Sequence, residues 1–249
     1  IRLGAWEHGP NRARDYEGVS FGNDAVVYDY DVSVLRWFDR FLKGIPNGID
    51  QEPRASYYVV GENQWRTSAD WTPAEATVSS FYLSSGGRAN SGHGDGQLLA
   101  APEEHSPEDT YVYNPHDPMN DSGEREPENL RKYELRNDIL VYTSDILTEE
   151  LTVAGELSAV IYAASTGKDT DWVVTLSDVN GQGDSIRLSN YIVRAKYRHG
   201  LEAPELLIPG QVEKYDIFMP NIAHRFAVGH RIRFSVTSSS KFVAFPNTN

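Results

Sequence analysis

Cysteine is absent from the 249 residues, so disulfide bonds and thiolate catalysis are both excluded, and the redox compartment stays open. No apolar run approaches the ~18 residues that a membrane-spanning helix requires. The sequence opens with neither an initiator methionine nor the charged and apolar regions of a signal peptide. A chain that begins on Ile1, inside an apparent strand, is expected to be a fragment or a processed product. Basic residues are in deficit, 23 Lys and Arg against 36 Asp and Glu, for a net charge of −13. That balance argues against nucleic acid and anionic membrane as partners. No repeat of fixed period is present, which disfavours a propeller or solenoid.

What remains is ordinary globular material, 39% hydrophobic and 11% aromatic. A chain of this length can form one large domain, or a small piece followed by a medium domain. One segment predicts a helix, DYDVSVLRWFDRFLKG. Val34, Leu35, Phe38, Phe41 and Leu42 recur at helical spacing, with Ser33, Arg36, Asp39, Arg40 and Lys43 opposite. Asp31 is expected to cap its start and Gly44 to stop it, and the apolar stripe reads as a packing face. The Pro- and Gly-bearing loop IPNGIDQEP then marks a boundary, dividing the chain into residues 1–50 and 51–249.

Beyond that boundary the chain is a series of short β-rich runs separated by Gly, Pro, Asn and Asp clusters. Strands are expected in SYYVVG, SSFYLSS, DTYVYNP, ILVYTSD, LTVAGELSAVIYA, WVVTLSDV, IRLSNYIVRAKYR, VEKYDIFM and HRIRFSVTSSS. ENQWRTSADWTP, GGRANSGHGDG and the charged stretch from Met119 to Arg136 read as loops, the last of them open to motion. Many short strands with almost no helix predict a mainly β chain, and nearly 200 residues suit a jelly-roll β-sandwich.

Several residues invite chemistry. His8 stands in a Gly-flanked turn at the end of a short apolar run, where an imidazole could accept and return a proton near neutral pH. Asp169, Asp171, Asp178 and Asp184 could gather Ca²⁺, but no complete calcium-loop pattern is present, and Asp beside Gly and Thr is ordinary turn chemistry. The glycine-rich GGRANSGHGDG lacks the Lys-Ser/Thr ending of a phosphate loop. Arg194, Lys196, Arg198, Arg231 and Arg233 are expected to pair with local carboxylates. Trp65 and Trp71 could stack on a sugar, but packing is the favoured reading.

The motifs taken together give the chain a family likeness. Gly4, Trp6 and His8 form a G-x-W-x-H turn, and Leu35–Gly44 an LRWFDRFLKG helix. Tyr142–Ser144, Asp169–Asp171, Asp178–Val179, Arg194–Arg198, Gly229–Arg233 and Pro246–Thr248 then follow in order. In this the chain resembles the CocE/NonD serine hydrolases, the family of cocaine esterase, X-prolyl dipeptidyl-peptidases and α-amino acid ester hydrolases. Ala5 departs from the usual proline of the turn. The resemblance implies the C-terminal tail of an α/β-hydrolase domain over 1–50, followed by a galactose-binding-like jelly roll over 51–249. It also implies that His8 is the histidine of a Ser-His-Asp triad. No nucleophile elbow G-x-S-x-G precedes His8 (the one such string, Gly18–Gly22, comes after it), and in this fold the histidine follows Ser and Asp in chain order. Nucleophile and acid would therefore lie in an N-terminal catalytic domain upstream, and this piece alone would be inactive.

The implied substrate is a small-molecule ester or a peptide-like amide, with no metal and no organic cofactor. Homo-oligomerisation is left open, and the compartment is undetermined between cytoplasm and export. The alternative is a non-catalytic jelly-roll binding module for carbohydrate or protein.

Overall fold

The computed structural model describes residues 1–6, 14–16, 19–121, 128–240 and 246–248. Two units emerge from it: residues 1–77 with 152–155 and 223–225, and residues 78–151 with 156–222 and 226–249.

The first unit holds β1 (Arg2–Leu3), β2 (Asp15–Tyr16), β3 (Val19–Ser20), helix α1 (Tyr30–Lys43), β4 (Ala55–Val59) and β5 (Gln64–Ser68). β1 lies parallel to β4, with Leu3 opposite Tyr57, and β4 and β5 form an antiparallel hairpin. Its turn uses Gly61 and Asn63 at φ 86° and 59°, residue types that tolerate the left-handed region. A Cβ on Gly61 would fall 2.5 Å from the Arg225 carbonyl oxygen, so the close approach of backbone also requires glycine. β5 corrects the expectation of a loop over ENQWRTSADWTP. Trp65 is its single large apolar residue, so the alternation that marks a strand is barely visible. Tyr57, Val59 and Ala223 form a buried cluster, with Leu3, Trp71 and Ala154 packed against it.

Helix α1 ends as the sequence implies. Gly44 takes the left-handed conformation at φ 71°, and the N–H of Ile45 donates to the Asp39 carbonyl at 3.0 Å. Its start differs: Asp29 occupies the cap position without a side-chain cap bond, and Asp31 falls in the first turn. The larger correction concerns the apolar stripe. No residue of α1 is buried; Leu42 is 73% exposed, Leu35 57% and Phe41 54%. The polar side is the partnered one. Arg36 meets Glu52 at 2.7 Å, Arg40 meets Asp50 at 2.9 Å, and the Asn47 amide donates to the Arg36 carbonyl at 2.7 Å. The stripe is therefore not a core face of this chain.

The second unit contains β6 (Tyr82–Ser84), β7 (Gln97–Leu99), β8 (Ile139–Thr143), β10 (Asp171–Val179), β11 (Ser185–Arg194) and β13 (Arg231–Thr237). These make a six-stranded sheet in the order β11-β10-β13-β8-β7-β6. β9 (Leu151–Ala163) and β12 (Glu213–Phe226) pair with each other, and their residues 152–155 and 223–225 belong to the first unit. β12 alternates as a half-buried strand should, with Tyr215, Ile217 and Met219 inward and Phe218 75% exposed between them. Trp172 of β10 meets Tyr215 edge-on at 5.7 Å, and the Ser189 hydroxyl of β11 donates to the Pro220 carbonyl at 2.9 Å. β10 is buried almost throughout, as a strand covered on both faces should be. The chain is thus mainly β with a C-terminal β-sandwich, as its strand pattern implies.

Three local expectations change. DTYVYNP forms no strand; its side chains do the bonding instead. Asp109 accepts from the Ala89 N–H, the Ser85 hydroxyl and the Tyr142 hydroxyl at 2.7–2.8 Å, and the Tyr111 hydroxyl lies 2.7 Å from that of Ser238. The RAKYR end of the predicted β11 run becomes a 3-10 turn over Ala195–Tyr197. Within the charged stretch, Asp121, Leu130 and Glu134 are buried, because two arginines of the sheet draw the carboxylates inward.

Candidate functional site

His8 lies outside the described residues, as does Glu7, whereas Gly4, Ala5 and Trp6, which lead to it, are described. The chain leaves β1 after only two ladder residues and enters an aromatic junction. Trp6 meets Tyr30, the first residue of α1, edge-on at 6.1 Å, and meets Trp65 of β5 at 5.8 Å. The Trp6 ring folds back over Gly4, where a Cβ would fall 2.1 Å from the ring. That gives the G-x-W spacing a physical basis: a side chain at position 4 would evict the indole.

Trp65 is held from several directions. Its indole N–H donates to the Asp24 carbonyl at 2.7 Å, Tyr58 packs edge-on at 5.4 Å, and the Arg2 guanidinium stands 5.3 Å from its ring centre. Arg2 in turn donates to the Ser33 hydroxyl at 2.9 Å, and Tyr58 donates through its hydroxyl to the Phe21 carbonyl. Burial raises the Tyr58 phenol above its ordinary value, with the Asp24 charge adding to the rise, so the group remains a neutral donor. Trp71 packs on Tyr57 at 5.3 Å, edge-on. Both tryptophans are packing residues, as expected. The convergence of Arg2, Trp6, Tyr30, Tyr58 and Trp65 escaped the sequence reading, since residues 2 and 65 share no local pattern.

The acidic residues weighed as metal ligands have protein partners. Asp169 accepts from the Lys196 N–H at 3.0 Å and the Asn247 amide at 3.2 Å, and Asp171 forms a two-pronged pair with Arg194 at 2.8 and 3.1 Å. Asp178 lies 2.7 Å from the His230 ring, and Asp184 accepts from the Asn129 and Asn180 amides at 2.9 and 3.3 Å. Those two amide bonds hold the Asp184 carboxyl below the usual carboxylate range. Of the five basic residues, Arg194, Lys196, Arg198 and Arg233 reach carboxylates, while Arg231 donates to the Ser144 carbonyl at 2.8 Å. The glycine-rich loop contributes one wall of a polar cleft of about 430 Å³, with Gln97, Thr143, Asp145, Arg231 and Arg233 on the others.

Comparison with known proteins places this arrangement. Residues 47–249 match the family described as the X-Pro dipeptidyl-peptidase C-terminal non-catalytic domain. The chain is 31% identical over 248 residues to cocaine esterase of Rhodococcus sp. (strain MB1 Bresler), covering 96% of this chain and 43% of that protein. The crystal structure of an aminopeptidase from a marine sediment Thaumarchaeota archaeon superimposes with a TM-score of 0.82 at 29% identity, over 99% of this chain and 43% of that one. An α-amino acid ester hydrolase gives the same TM-score and coverage at 25% identity. The chain spans about two fifths of the length of these relatives, at 43% of each. With the match running through the hairpin, the sandwich and every strand after α1, the chain belongs to the X-Pro dipeptidyl-peptidase C-terminal non-catalytic domain family, the C-terminal portion of CocE/NonD-type hydrolases.

Proposed function

We propose that this chain is the C-terminal part of a serine hydrolase that cleaves ester or amide bonds, X-Pro dipeptidyl and α-amino acyl bonds among them. Its Ser-His-Asp triad contributes only His8 from this chain. Residues 1–50 then form the end of the catalytic α/β-hydrolase domain, and residues 51–249 the jelly roll that accompanies it.

Helix α1 carries this reading. An isolated 14-residue amphipathic helix is marginal in water and gains its stability by burying its apolar face. Here the polar face is tied down by the 47–52 segment, while Leu35, Trp37, Phe38, Phe41 and Leu42 are exposed. A contiguous apolar face of that kind marks an interaction surface. Relatives more than twice as long have the chain length to cover it, and an N-terminal catalytic domain is the fitting occupant.

The chemistry follows from the histidine's role. His8 takes the proton of the upstream serine as its oxygen attacks the acyl carbon, giving a tetrahedral oxyanion. The imidazolium then protonates the departing alkoxide or amine, leaving an acyl-serine. Water attacks that ester with His8 again accepting the proton, which returns to serine as the acid departs. An upstream carboxylate holds the other ring nitrogen. No cofactor is needed for any of these steps.

The test is an intact-mass spectrum of the native protein after treatment with a fluorophosphonate that labels activated serines. A species far heavier than 27.9 kDa carrying one adduct is expected, and His8→Ala should abolish its labelling. A lone unlabelled 27.9 kDa species would remove the hydrolase reading, and labelling unchanged in His8→Ala would remove the role of His8. A second reading, a binding module for carbohydrate or protein, draws on the polar cleft of the second unit. A glycan-binding screen of the same protein tests it, with silence expected.

A further inference from the structure

The family that this chain joins is described as non-catalytic over residues 47–249, and Trp65 lies inside that range. Yet its indole forms one wall of the seat for Trp6, two residues before His8 in sequence. β1 pairs with β4 at Arg2 and Leu3, with the Ile1 carbonyl accepting from the Ser56 N–H, and after Leu3 the ring of Trp6 makes the next aromatic contacts of the described chain. Three surfaces hold it: Gly4 beneath, Tyr30 at its edge and Trp65 across from it. Trp65 differs from an ordinary filler because named partners hold it in place. The N–H is committed to the Asp24 carbonyl at 2.7 Å, one flank to Tyr58, and a further side to the Arg2 guanidinium. A tryptophan needed only for bulk requires none of these bonds.

We propose that Trp65 is a positioning residue for the catalytic histidine, acting through Trp6, so that the accessory domain sets the geometry of the triad it does not itself complete. The proposal rests on the reading of His8 as the triad base. Its physical content is that a displacement of ~1 Å at a reacting group costs on the order of 100-fold in rate. Replacing Trp65 by alanine opens the wall behind Trp6 and lets the indole, two residues before His8 in sequence, relax away from Gly4. Phenylalanine keeps an aromatic face there but loses the bond to Asp24.

The experiment uses the full-length enzyme with 4-nitrophenyl acetate as probe. His8→Ala, Trp65→Ala, Trp65→Phe and Gly4→Ala are compared with wild type, each scaled to the concentration of folded protein. Trp65→Ala should lower kcat by about 10- to 100-fold with KM little changed, and should move the acid limb of the pH profile toward the ~6.5 of a free imidazole. Trp65→Phe should recover most of the rate. Gly4→Ala, which displaces Trp6 from the opposite side, should reproduce the loss and decides the matter if Trp65→Ala does not fold. Full activity in His8→Ala would overturn the reading of the histidine. An inactive His8→Ala beside a Trp65→Ala or Gly4→Ala enzyme within twofold of wild type per mole of folded protein, with an unmoved pH profile, would overturn the role of Trp65 alone.

Discussion

Arg187 is the largest of the fully buried side chains, and its replacement by methionine offers the sharpest test of the second unit's energetics. The guanidinium lies 3.1 Å from the Asp121 carboxylate and 3.2 Å from that of Glu128, while Asp121 also accepts from the Ser240 hydroxyl at 2.8 Å. Arg187→Met keeps an unbranched apolar stem but leaves two carboxylates facing each other, and Asp121 is only 1% exposed. Removing one partner of such a pair costs ~3–5 kcal/mol, because the remaining charge stays buried without compensation. For a unit of this size each kcal/mol lowers Tm by ~2–4 °C, which gives a fall of about 6–20 °C.

The loss should depend on pH with a definite sign. Burial already holds the Asp121 carboxyl above the ordinary carboxylate range, against the lowering by Ser240 and Arg187. A raised folded-state pKa contributes stability that is fully present below the unfolded value of ~3.9 and is lost as pH rises through the folded value. Without Arg187 the folded value climbs further, so the variant's deficit is greatest near neutrality and shrinks on acidification. Urea unfolding followed by tryptophan fluorescence at about pH 7.5 and about pH 5 measures both terms. Arg187→Met combined with Asp121→Leu should recover at least half of the loss, since matched apolar replacement of a buried pair is often neutral. A single-variant loss under ~1 kcal/mol, a deficit independent of pH, or a double variant no better than the single would refute the reasoning.

Neighbouring residues of β12 test the sandwich directly. Ile217→Ala, at 1% exposure, should cost ~2–5 kcal/mol, and Phe218→Ala, at 75%, should stay within ~0.5 kcal/mol in denaturant unfolding. Gly96→Ala should destabilise by ~1–3 kcal/mol or more, because its Cβ would fall 2.1 Å from the Val141 carbonyl oxygen. Gly181→Ala, with nothing within 4 Å of the added atom, should be close to neutral in the same assay. The lowered carboxyl of Asp184 contributes stability above its unfolded pKa that is lost as pH falls through the folded value. Melting curves from about pH 6 to about pH 3 should therefore fall less steeply for Asp184→Ala than for wild type.

How much of this was legible in the sequence divides along physical lines. Local rules were enough wherever one strand or one turn decided the outcome. β9 falls on LTVAGELSAVIYA residue for residue, β13 buries Ile232, Phe234 and Val236 as their alternation implies, and Gly44 ends α1 in the left-handed conformation that a Cβ would strain. The family, too, was written in motifs that keep their order along the chain. Tertiary structure decided whatever depends on partners distant in sequence. β5 exists because Gln64–Ser68 finds the β4 backbone, not because its own pattern is strong, and DTYVYNP fails as a strand because Asp109 and Tyr111 find side-chain partners elsewhere. The carboxylates of Asp121 and Glu134 sit in a stretch that reads as solvated loop, and the buried Arg187 and part-buried Arg233 of the folded sheet, with the Ser240 and Ser185 hydroxyls, draw them inside. The apolar stripe of α1 was visible from its spacing, but its exposure was not, since periodicity tells which face is apolar and not which surface covers it. The junction of Arg2, Trp6, Tyr30, Tyr58 and Trp65 lies furthest from what sequence can show. Its members are spread over more than sixty positions, and the parallel pairing of β1 with β4, the β4–β5 hairpin and the start of α1 together bring them into contact.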